Sequence, residues 1–265
     1  MAEGNAGLAF KTLGGSGADI VLLHGFGSDR LSWLGTSPAL MTVGRVHALD
    51  LPGHGASDME TGDGSPAALA GLVAASLARH GIERAHLVGH SLGGGIALLL
   101  AAQGPLRIDS LALLAPAGLG MGIDQGFLAA FPDIDDIDTA LAMMRQLVVR
   151  PQLINKMTAE RLLAQLRRDG AREAMRRIAG GLANGEAAIR AAAAQVAALH
   201  VPRMVIWGDS DAINPPDEII LGRYGGTLHR VAGAGHLPHI EQAKAVNEVL
   251  VQFLRDCQTK QNSDG

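Results

Sequence analysis

The sequence predicts an α/β fold, in which helices flank a mostly parallel sheet and a helical cap is inserted into it. Three observations indicate this fold. Short runs of aliphatic and β-branched residues alternate with helical patterns towards both ends of the chain. These runs are apolar throughout, as expected of strands covered on both faces. Between residues 118 and 199 the strand patterns stop and only helical patterns remain.

The elements can be placed in chain order. Strands are expected at residues 20–24, 45–50, 86–89, 110–114, 203–207 and 227–231. Core helices are expected at 66–80, 92–103, 216–224 and 239–255. Cap helices are expected at 137–149, 158–168, 171–183 and 186–199. The predicted organisation is a core of residues 1–117 and 200–257, a helical cap of residues 118–199 and a flexible polar tail of residues 258–265.

The composition excludes several classes of protein. With 265 residues, 48% hydrophobic and 18% charged, the chain is typical of a globular protein. The net charge of −4 argues against a nucleic-acid partner, and no apolar stretch is long enough for a membrane span. The first residues do not resemble a signal peptide, and Cys257 is the only cysteine, so a cytoplasmic protein is expected.

A glycine-flanked serine is the strongest motif in the chain. Residues 89–93 read GHSLG, between a predicted strand and a predicted helix, which is the G-x-S-x-G pattern of a nucleophile on a sharp turn. Gly89 and Gly93 provide the small neighbours that such a turn needs. The following helix directs its free N–H groups towards the site. We therefore expect Ser91 to be the nucleophile, against the alternative of an idle serine in a glycine-rich turn.

The other parts of an acyl-transfer site follow three more strands. The HGFG segment at residues 24–27 is expected to form the oxyanion loop, with the N–H groups of Phe26 and Leu92 as donors. His236 follows the last strand as the expected base. Between the two acids after the strand at 203–207, Asp211 is favoured over Asp209, which suits a turn. The order Ser, Asp, His along the chain is typical of this arrangement.

No cofactor is expected, because the chain has neither a P-loop nor a dinucleotide fingerprint. His236 and His239 form H-x-x-H, but no acid or cysteine cluster accompanies them, so no metal site is expected. His90, next to Ser91, is expected to touch the substrate pocket, with packing as the alternative, and His54 is expected to order a turn.

These motifs resemble the α/β-hydrolase superfamily over nearly the whole chain. The resemblance rests on HGFG at 24–27, DLPGHG at 50–55, GHSLG at 89–93, WGDSD at 207–211 and GH at 235–236. It implies the α/β-hydrolase fold and a Ser91–Asp211–His236 triad. The serine distinguishes the chain from haloalkane dehalogenases and epoxide hydrolases, which place an aspartate at that turn.

A closer resemblance is to the hydrolase-type C-terminal domain of acetoin dehydrogenase E2 proteins, which are dihydrolipoamide acetyltransferase-like. It rests on residues 49–57, 81–94, 113–120 and 205–211. In that family a lipoyl domain precedes the hydrolase domain, and this sequence starts with the hydrolase core. The resemblance implies an acyltransferase as an alternative activity, and association with a 2-oxo acid dehydrogenase-type complex as an alternative to a free protein. A homodimer also stays open.

The expected function is cleavage of an ester, thioester or related acyl bond of a small, mostly apolar substrate. A carbon–carbon bond hydrolase and a non-catalytic scaffold are alternatives. Apolar residues of the cap and of the oxyanion side are expected to line the pocket, namely Phe26, Trp33, Phe127, Phe131, Met143 and Met144. Cap arginines are expected to form a solvated face, with a carboxylate clamp as the alternative for one of them: Arg145, Arg167, Arg168, Arg172, Arg176 and Arg177.

Overall fold

A computed structural model describes residues 7–104 and 106–263, with side chains described as far as Lys260. Seven strands form one sheet in the order β1-β3-β2-β4-β5-β6-β7. Their bounds are β1 Phe10–Gly14, β2 Asp19–Leu23, β3 Arg45–Leu49, β4 Arg84–His90, β5 Arg107–Leu114, β6 Arg203–Gly208 and β7 Thr227–Val231. All neighbouring strands run parallel except β1, which pairs antiparallel with β3. The α/β fold predicted from the sequence is confirmed.

The first strand, β1, is not among the strands predicted from the sequence. Its five residues, FKTLG, are exposed or half-buried along their length, because β1 lies at the edge of the sheet. It therefore lacks the continuous apolar run that identifies the buried strands.

Helices cover both faces of the sheet. Their bounds are α1 Ser37–Leu40, α2 Pro66–Arg79, α3 Leu92–Gln103, α4 Gln125–Ala130, α5 Ile137–Arg145, α6 Lys156–Leu166, α7 Ala171–Ala197, α8 Glu218–Tyr224, α9 Pro238–Glu241 and α10 Ala243–Ser263. Alternate residues of β2 divide between two buried clusters, as the two faces of a strand require. Val21 and Leu23 join α2, α3 and α7, while Ile20 and Leu22 join α1 and α10.

Between β5 and β6 the described chain is helical, as expected, and α4 to α7 lie there. The sequence predicted two helices in the region where the single helix α7 runs for 27 residues. Its glycines do not end the helix. A Cβ on Gly181 would lie 2.1 Å from the oxygen of Gly64, and one on Gly185 would lie 2.6 Å from Pro66, so these glycines permit close packing against the start of α2.

The C-terminal helix also differs from the prediction. The expected helix at 239–255 is divided into α9 and α10, and α10 continues through Ser263. The expected flexible tail from residue 258 is therefore helical as far as Ser263, and its last two residues lie outside the described part. None of the helices in residues 7–104 and 106–263 combines the length and the apolar character needed to cross a bilayer.

Candidate active site

Ser91 occupies the sharp turn between β4 and α3. Its φ of 52° and ψ of −116° lie in a region that non-glycine residues rarely adopt. Its neighbours two positions away have no room for a side chain. A Cβ on Gly89 would lie 2.6 Å from the oxygen of Gly93, and one on Gly93 would lie 2.3 Å from the oxygen of Leu23. The turn therefore holds the Ser91 hydroxyl at the carboxyl end of the sheet, at the start of a buried helix.

The structure brings Ser91, His236 and Asp211 together. His236 Nε2 lies 3.0 Å from Ser91 Oγ, and His236 Nδ1 lies 2.8 Å from Asp211 Oδ2. All three residues are buried. An ionised carboxylate only accepts hydrogen bonds, so His236 Nδ1 carries the proton and Nε2 is left to accept the Ser91 hydroxyl proton.

Four donors fix the Asp211 carboxylate. Oδ1 accepts from the N–H groups of Ile213 and Asn214, and Oδ2 accepts from Trp207 Nε1 at 3.0 Å in addition to His236. By contrast Asp209, the alternative acid in the sequence, is exposed. Asp211 is the acid that the fold directs at the histidine.

The expected oxyanion donors flank Ser91. Leu92 is the first residue of α3, so its N–H has no acceptor within the helix. The N–H of Phe26 has no hydrogen-bond partner among the described residues, whereas the next one, on Gly27, donates to His54 Nε2 at 3.0 Å. His54 thus takes up one N–H of the loop and leaves that of Phe26 free.

Two buried histidines brace the oxyanion loop as neutral rings. His54 Nδ1 donates to the oxygen of Pro52, and its Nε2 accepts from Gly27. His24 donates in the same way to the oxygen of Gly25 and accepts from the N–H of Leu51. Desolvation by burial lowers the pKa of His54 to about 3 and that of His24 to about 4. A second proton would convert the accepting nitrogen of each ring into a donor that faces a backbone N–H group. This would disfavour the charged ring, in agreement with the lowered pKa of each histidine.

His90 and His239 support the other side of the site. His90 Nε2 donates to the backbone oxygen of His236 at 2.8 Å, so it holds the loop that carries His236. Burial, helped by the neighbouring His239 and His236 rings, lowers the pKa of His90 well below its usual value. Burial lowers the pKa of His239 to about 3. Within the described residues no three histidine, cysteine, aspartate or glutamate side chains form a group able to hold a metal ion.

A pocket of about 280 Å³ reaches Ser91 beneath the cap. Of the residues expected to line it, the structure places five there: Phe26, His90, Phe127, Phe131 and Met144. Two expectations need correction. Trp33 is fully buried against His239, with ring centroids 4.8 Å apart, and Met143 is buried in the hydrophobic core; neither belongs to the described pocket wall.

The six arginines singled out in the sequence also lie away from the pocket wall that the structure describes. Several of them bind loops instead. Arg172 donates to the oxygens of Pro132 and Ile134, and Arg168 donates to those of Gly55 and Ser57. The carboxylate-clamp alternative therefore finds no support in these residues.

A different arginine, which the sequence did not indicate, lines the pocket. Arg161 of α6 pairs with Asp29, which also accepts from Gln165 and caps the 3₁₀ helix Arg30–Trp33. These contacts join the cap to the segment after the oxyanion loop. They link residues more than 130 positions apart, so no local sequence pattern announces them.

Glu241 is a second residue of the site that the sequence did not indicate. It is buried at the end of α9. Its Oε2 accepts from the N–H of Gly235, next to His236, and its Oε1 accepts from Val149 and Arg150 of the cap. One carboxylate therefore connects the cap to residues 233–236, the segment that carries His236, which we call the histidine loop. The only signal in the sequence is an acid five residues after His236.

Comparisons with known proteins show the family to which the chain belongs. The model of the alpha/beta hydrolase family matches residues 20–249. The dihydrolipoyllysine-residue acetyltransferase component of the acetoin cleaving system of Pseudomonas putida is 38% identical over 93% of this chain and 66% of its own length. The chain thus spans about two thirds of that relative.

Two further proteins are similar over almost their whole length. A pimeloyl acyl-carrier-protein methyl ester esterase of Aeromonas hydrophila is 32% identical over 91% of this chain and 96% of its own. A solved structure of a meta-cleavage product hydrolase from Pseudomonas fluorescens superposes with a TM-score of 0.81 at 23% identity, covering 95% of this chain and 98% of the other. At that identity the superposition supports the fold.

Proposed function

The chain belongs to the alpha/beta hydrolase family, and from that premise we propose that it is a serine hydrolase of small, mostly apolar acyl compounds. The observation that carries the proposal is the buried relay from Ser91 through His236 to Asp211, with contacts of 3.0 and 2.8 Å. The relay opens into an apolar pocket, so a substrate carbonyl can reach the hydroxyl.

In the proposed reaction Ser91 Oγ attacks the acyl carbon while His236 Nε2 takes its proton. Asp211 keeps Nδ1 protonated and stabilises the imidazolium that forms. The N–H groups of Phe26 and Leu92 bind the negative oxygen of the tetrahedral intermediate. His236 then returns the proton to the leaving group, an acyl group remains on Ser91, and water releases it by the same steps.

Ester hydrolysis by the Ser91→Ala variant tests the proposal. With p-nitrophenyl acetate or butyrate, we expect the purified protein to release p-nitrophenol and the variant to lose at least about 10⁴-fold in kcat. A fluorophosphonate should label the native protein and spare the variant. Equal rates in the two proteins would reject Ser91 as the nucleophile.

Acyl transfer to a thiol is a second candidate, favoured by the 38% identity with the acetyltransferase component from Pseudomonas putida. It uses the same acyl group on Ser91 and differs only in the acceptor. Partitioning between dihydrolipoamide and water separates the two functions. A transferase gives acetyl-dihydrolipoamide as the main product at millimolar acceptor, whereas a hydrolase gives acetate with no gain in the rate of p-nitrophenol release.

A further inference from the structure

Asn214 lies in the loop after β6, three residues beyond Asp211, and is buried. Its main chain contacts the acid and its neighbour. The N–H of Asn214 donates to Asp211 Oδ1 at 2.9 Å. Its oxygen accepts at 3.0 Å from Trp207 Nε1, the same group that donates to Asp211 Oδ2. The main chain of Asn214 therefore belongs to the set of contacts that hold the Asp211 carboxylate.

The side chain of Asn214 reaches out of this loop to the turn after β5. Its Nδ2 donates to the oxygen of Ala115 at 3.2 Å and to that of Pro116 at 3.0 Å. Its Oδ1 packs against Gly120, where a Cβ would have no room. An amide carries two N–H groups on one nitrogen, so this one side chain can satisfy two neighbouring carbonyl oxygens.

The turn after β5 holds the backbone of Ser91 on both sides. The N–H of Ser91 donates to the oxygen of Leu114 at 2.9 Å, and the N–H of Ala117 donates to the oxygen of Ser91 at 3.0 Å. Ala115 lies between these contacts with a φ of 42°, and in the described chain it and Ser91 are the only residues other than glycine with a positive φ. Such a backbone costs about 1–3 kcal/mol and persists only when its surroundings hold it. The Asn214 amide binds this strained residue directly.

These contacts connect the acid to the nucleophile by a second route. In the sheet, β5 lies between β4, which leads to Ser91, and β6, which leads to Asp211. Asn214 bonds the loop after β6 to the turn after β5, and that turn bonds to Ser91. The first route is the ring of His236, which lies 3.0 Å from Ser91 Oγ and 2.8 Å from Asp211 Oδ2. Because the imidazole is rigid, it can make both contacts only while the separation between serine and acid is maintained.

The loop after β6 has further anchors that do not use the Asn214 side chain. The oxygen of Ile213 accepts from the N–H of Asp124 at 2.8 Å, and the oxygen of Pro215 accepts from the N–H of Met121 at 2.7 Å. These backbone contacts join the loop to the first part of the cap. The Asn214 side chain can therefore be removed while the loop stays anchored on both sides of it.

We infer that Asn214 is a positioning residue, whose side chain holds Asp211 at the distance from Ser91 that His236 requires. The inference depends on the proposed serine-hydrolase function and adds a residue to its machinery. Asn214 lies outside the described pocket wall, so it acts through Asp211 and does not contact the substrate.

Asn214→Ala removes the two side-chain donors and keeps the backbone contacts with Asp211 and Trp207. We expect kcat for p-nitrophenyl butyrate to fall by about tenfold to 100-fold, because a small misplacement of catalytic groups costs rate factors of this order. KM should change by less than about twofold, since substrate contacts are kept. Native kcat in Asn214→Ala would overturn the inference.

Asn247→Ala is the matched control for this variant. Asn247 Nδ2 also donates to a backbone oxygen far away in the sequence, that of Gly35 at 2.8 Å, but neither residue lines the pocket or bonds to Ser91, His236 or Asp211. We expect this variant to keep the native kcat. A loss as large as that in Asn214→Ala would show that any such link between distant segments supports activity, and would contradict a specific role of Asn214.

The same substitution in a second background separates positioning from general support of the fold. If Asn214 acts through Asp211, Asn214→Ala should lower kcat by less than about threefold in an Asp211→Asn protein, since the contact that it protects is already lost. An equal loss in both backgrounds would overturn the inference, because the effect would then be independent of the acid. If the alanine variant does not fold, Asn214→Ser, which keeps a hydroxyl, is measured in the same way.

The proposed function has its own readout in these assays. Hydrolysis that requires Ser91 but not Asn214 would reject only the positioning role. If the native protein neither cleaves p-nitrophenyl butyrate nor reacts with a fluorophosphonate, the serine-hydrolase function is rejected and the inference is rejected with it.

Discussion

Asp211 shows how a single residue in this site is fixed from several directions. Besides His236 it accepts from Trp207 and from two backbone N–H groups, and it is buried. Loss of its charge would leave the imidazolium of His236 without a partner and would permit the wrong tautomer. A variant that keeps an oxygen acceptor for the loop N–H groups of Ile213 and Asn214 but loses the charge tests the effect of the Asp211 carboxylate on His236.

We expect Asp211→Asn to lower kcat for p-nitrophenyl butyrate by about 10⁴-fold, because the amide can donate to His236 Nδ1 and so reverse the ring's tautomer. Asp209→Asn is the matched control, two positions earlier in the same turn and exposed. Steady-state kinetics of the two variants provide the test. A large loss in Asp209→Asn with none in Asp211→Asn would mean that the acid has been misassigned.

Residues that depend on a local pattern could be predicted from the sequence. Ser91, Asp211 and His236 each follow a strong strand and carry small or turn-forming neighbours. The structure brings all three into hydrogen-bonding contact. Trp33 and Met143 could not be placed in this way, because an apolar side chain announces its burial but not which surface it is buried against.

At the level of elements, α9 connects the histidine loop with the cap. Glu241 accepts from Gly235 on one side and from Val149 and Arg150 on the other. Gly235 is itself pressed against the cap, because a Cβ there would lie 2.8 Å from the oxygen of Leu147. The position of His236 therefore depends on the cap as well as on β7.

Glu241→Gln should weaken this connection, since an amide replaces one accepting oxygen with a donor that faces an N–H group. We expect the free energy of unfolding to fall by about 2 kcal/mol. We expect kcat to fall by about tenfold to 100-fold through misplacement of His236, with a smaller change in KM. Urea unfolding and steady-state kinetics measure the two effects.

Glu248→Gln, at an exposed glutamate on α10, is the control and should change neither quantity. Native kcat in Glu241→Gln together with reduced stability would show that Glu241 supports the fold without positioning the histidine.

The elements themselves were predictable to different degrees. The buried strands and the helix after Ser91 can be recognised in the sequence by their continuous apolar runs. The edge strand β1 does not, and the glycines of α7 resemble a helix end although they serve to bring α2 close. The contacts of Arg161 with Asp29 and of Glu241 with Val149 join distant parts of the chain, and only the tertiary structure reveals them.

For the whole molecule, the buried histidines make stability depend on pH. Burial lowers the pKa of His24 to about 4 and those of His54 and His239 to about 3, from 6.5. Below pH 6.5 these histidines become protonated in the unfolded chain but stay neutral in the folded chain. The free energy of unfolding therefore falls as the pH decreases from 6.5 towards 4. At pH 5 each such histidine costs about 2 kcal/mol relative to pH 7.

Urea unfolding between pH 5 and pH 7.5 measures this dependence. The stability of the native chain should fall by several kcal/mol towards pH 5, and His54→Gln should show a shallower fall, by about 2 kcal/mol at pH 5. His200→Gln, at an exposed histidine, is the control and should keep the native slope. A slope in His54→Gln as steep as the native one would show that His54 takes up a proton in the folded state.

Detection of an acyl group on Ser91 tests the mechanism most directly. The native protein is mixed with p-nitrophenyl butyrate, quenched in acid within the first turnovers, digested and analysed by mass spectrometry. We predict a butyryl group on the peptide that contains Ser91, which appears with the first burst of p-nitrophenol and is absent from Ser91→Ala. Continued ester hydrolysis with that peptide unmodified, or with the butyryl group on another residue, would contradict a covalent route through Ser91.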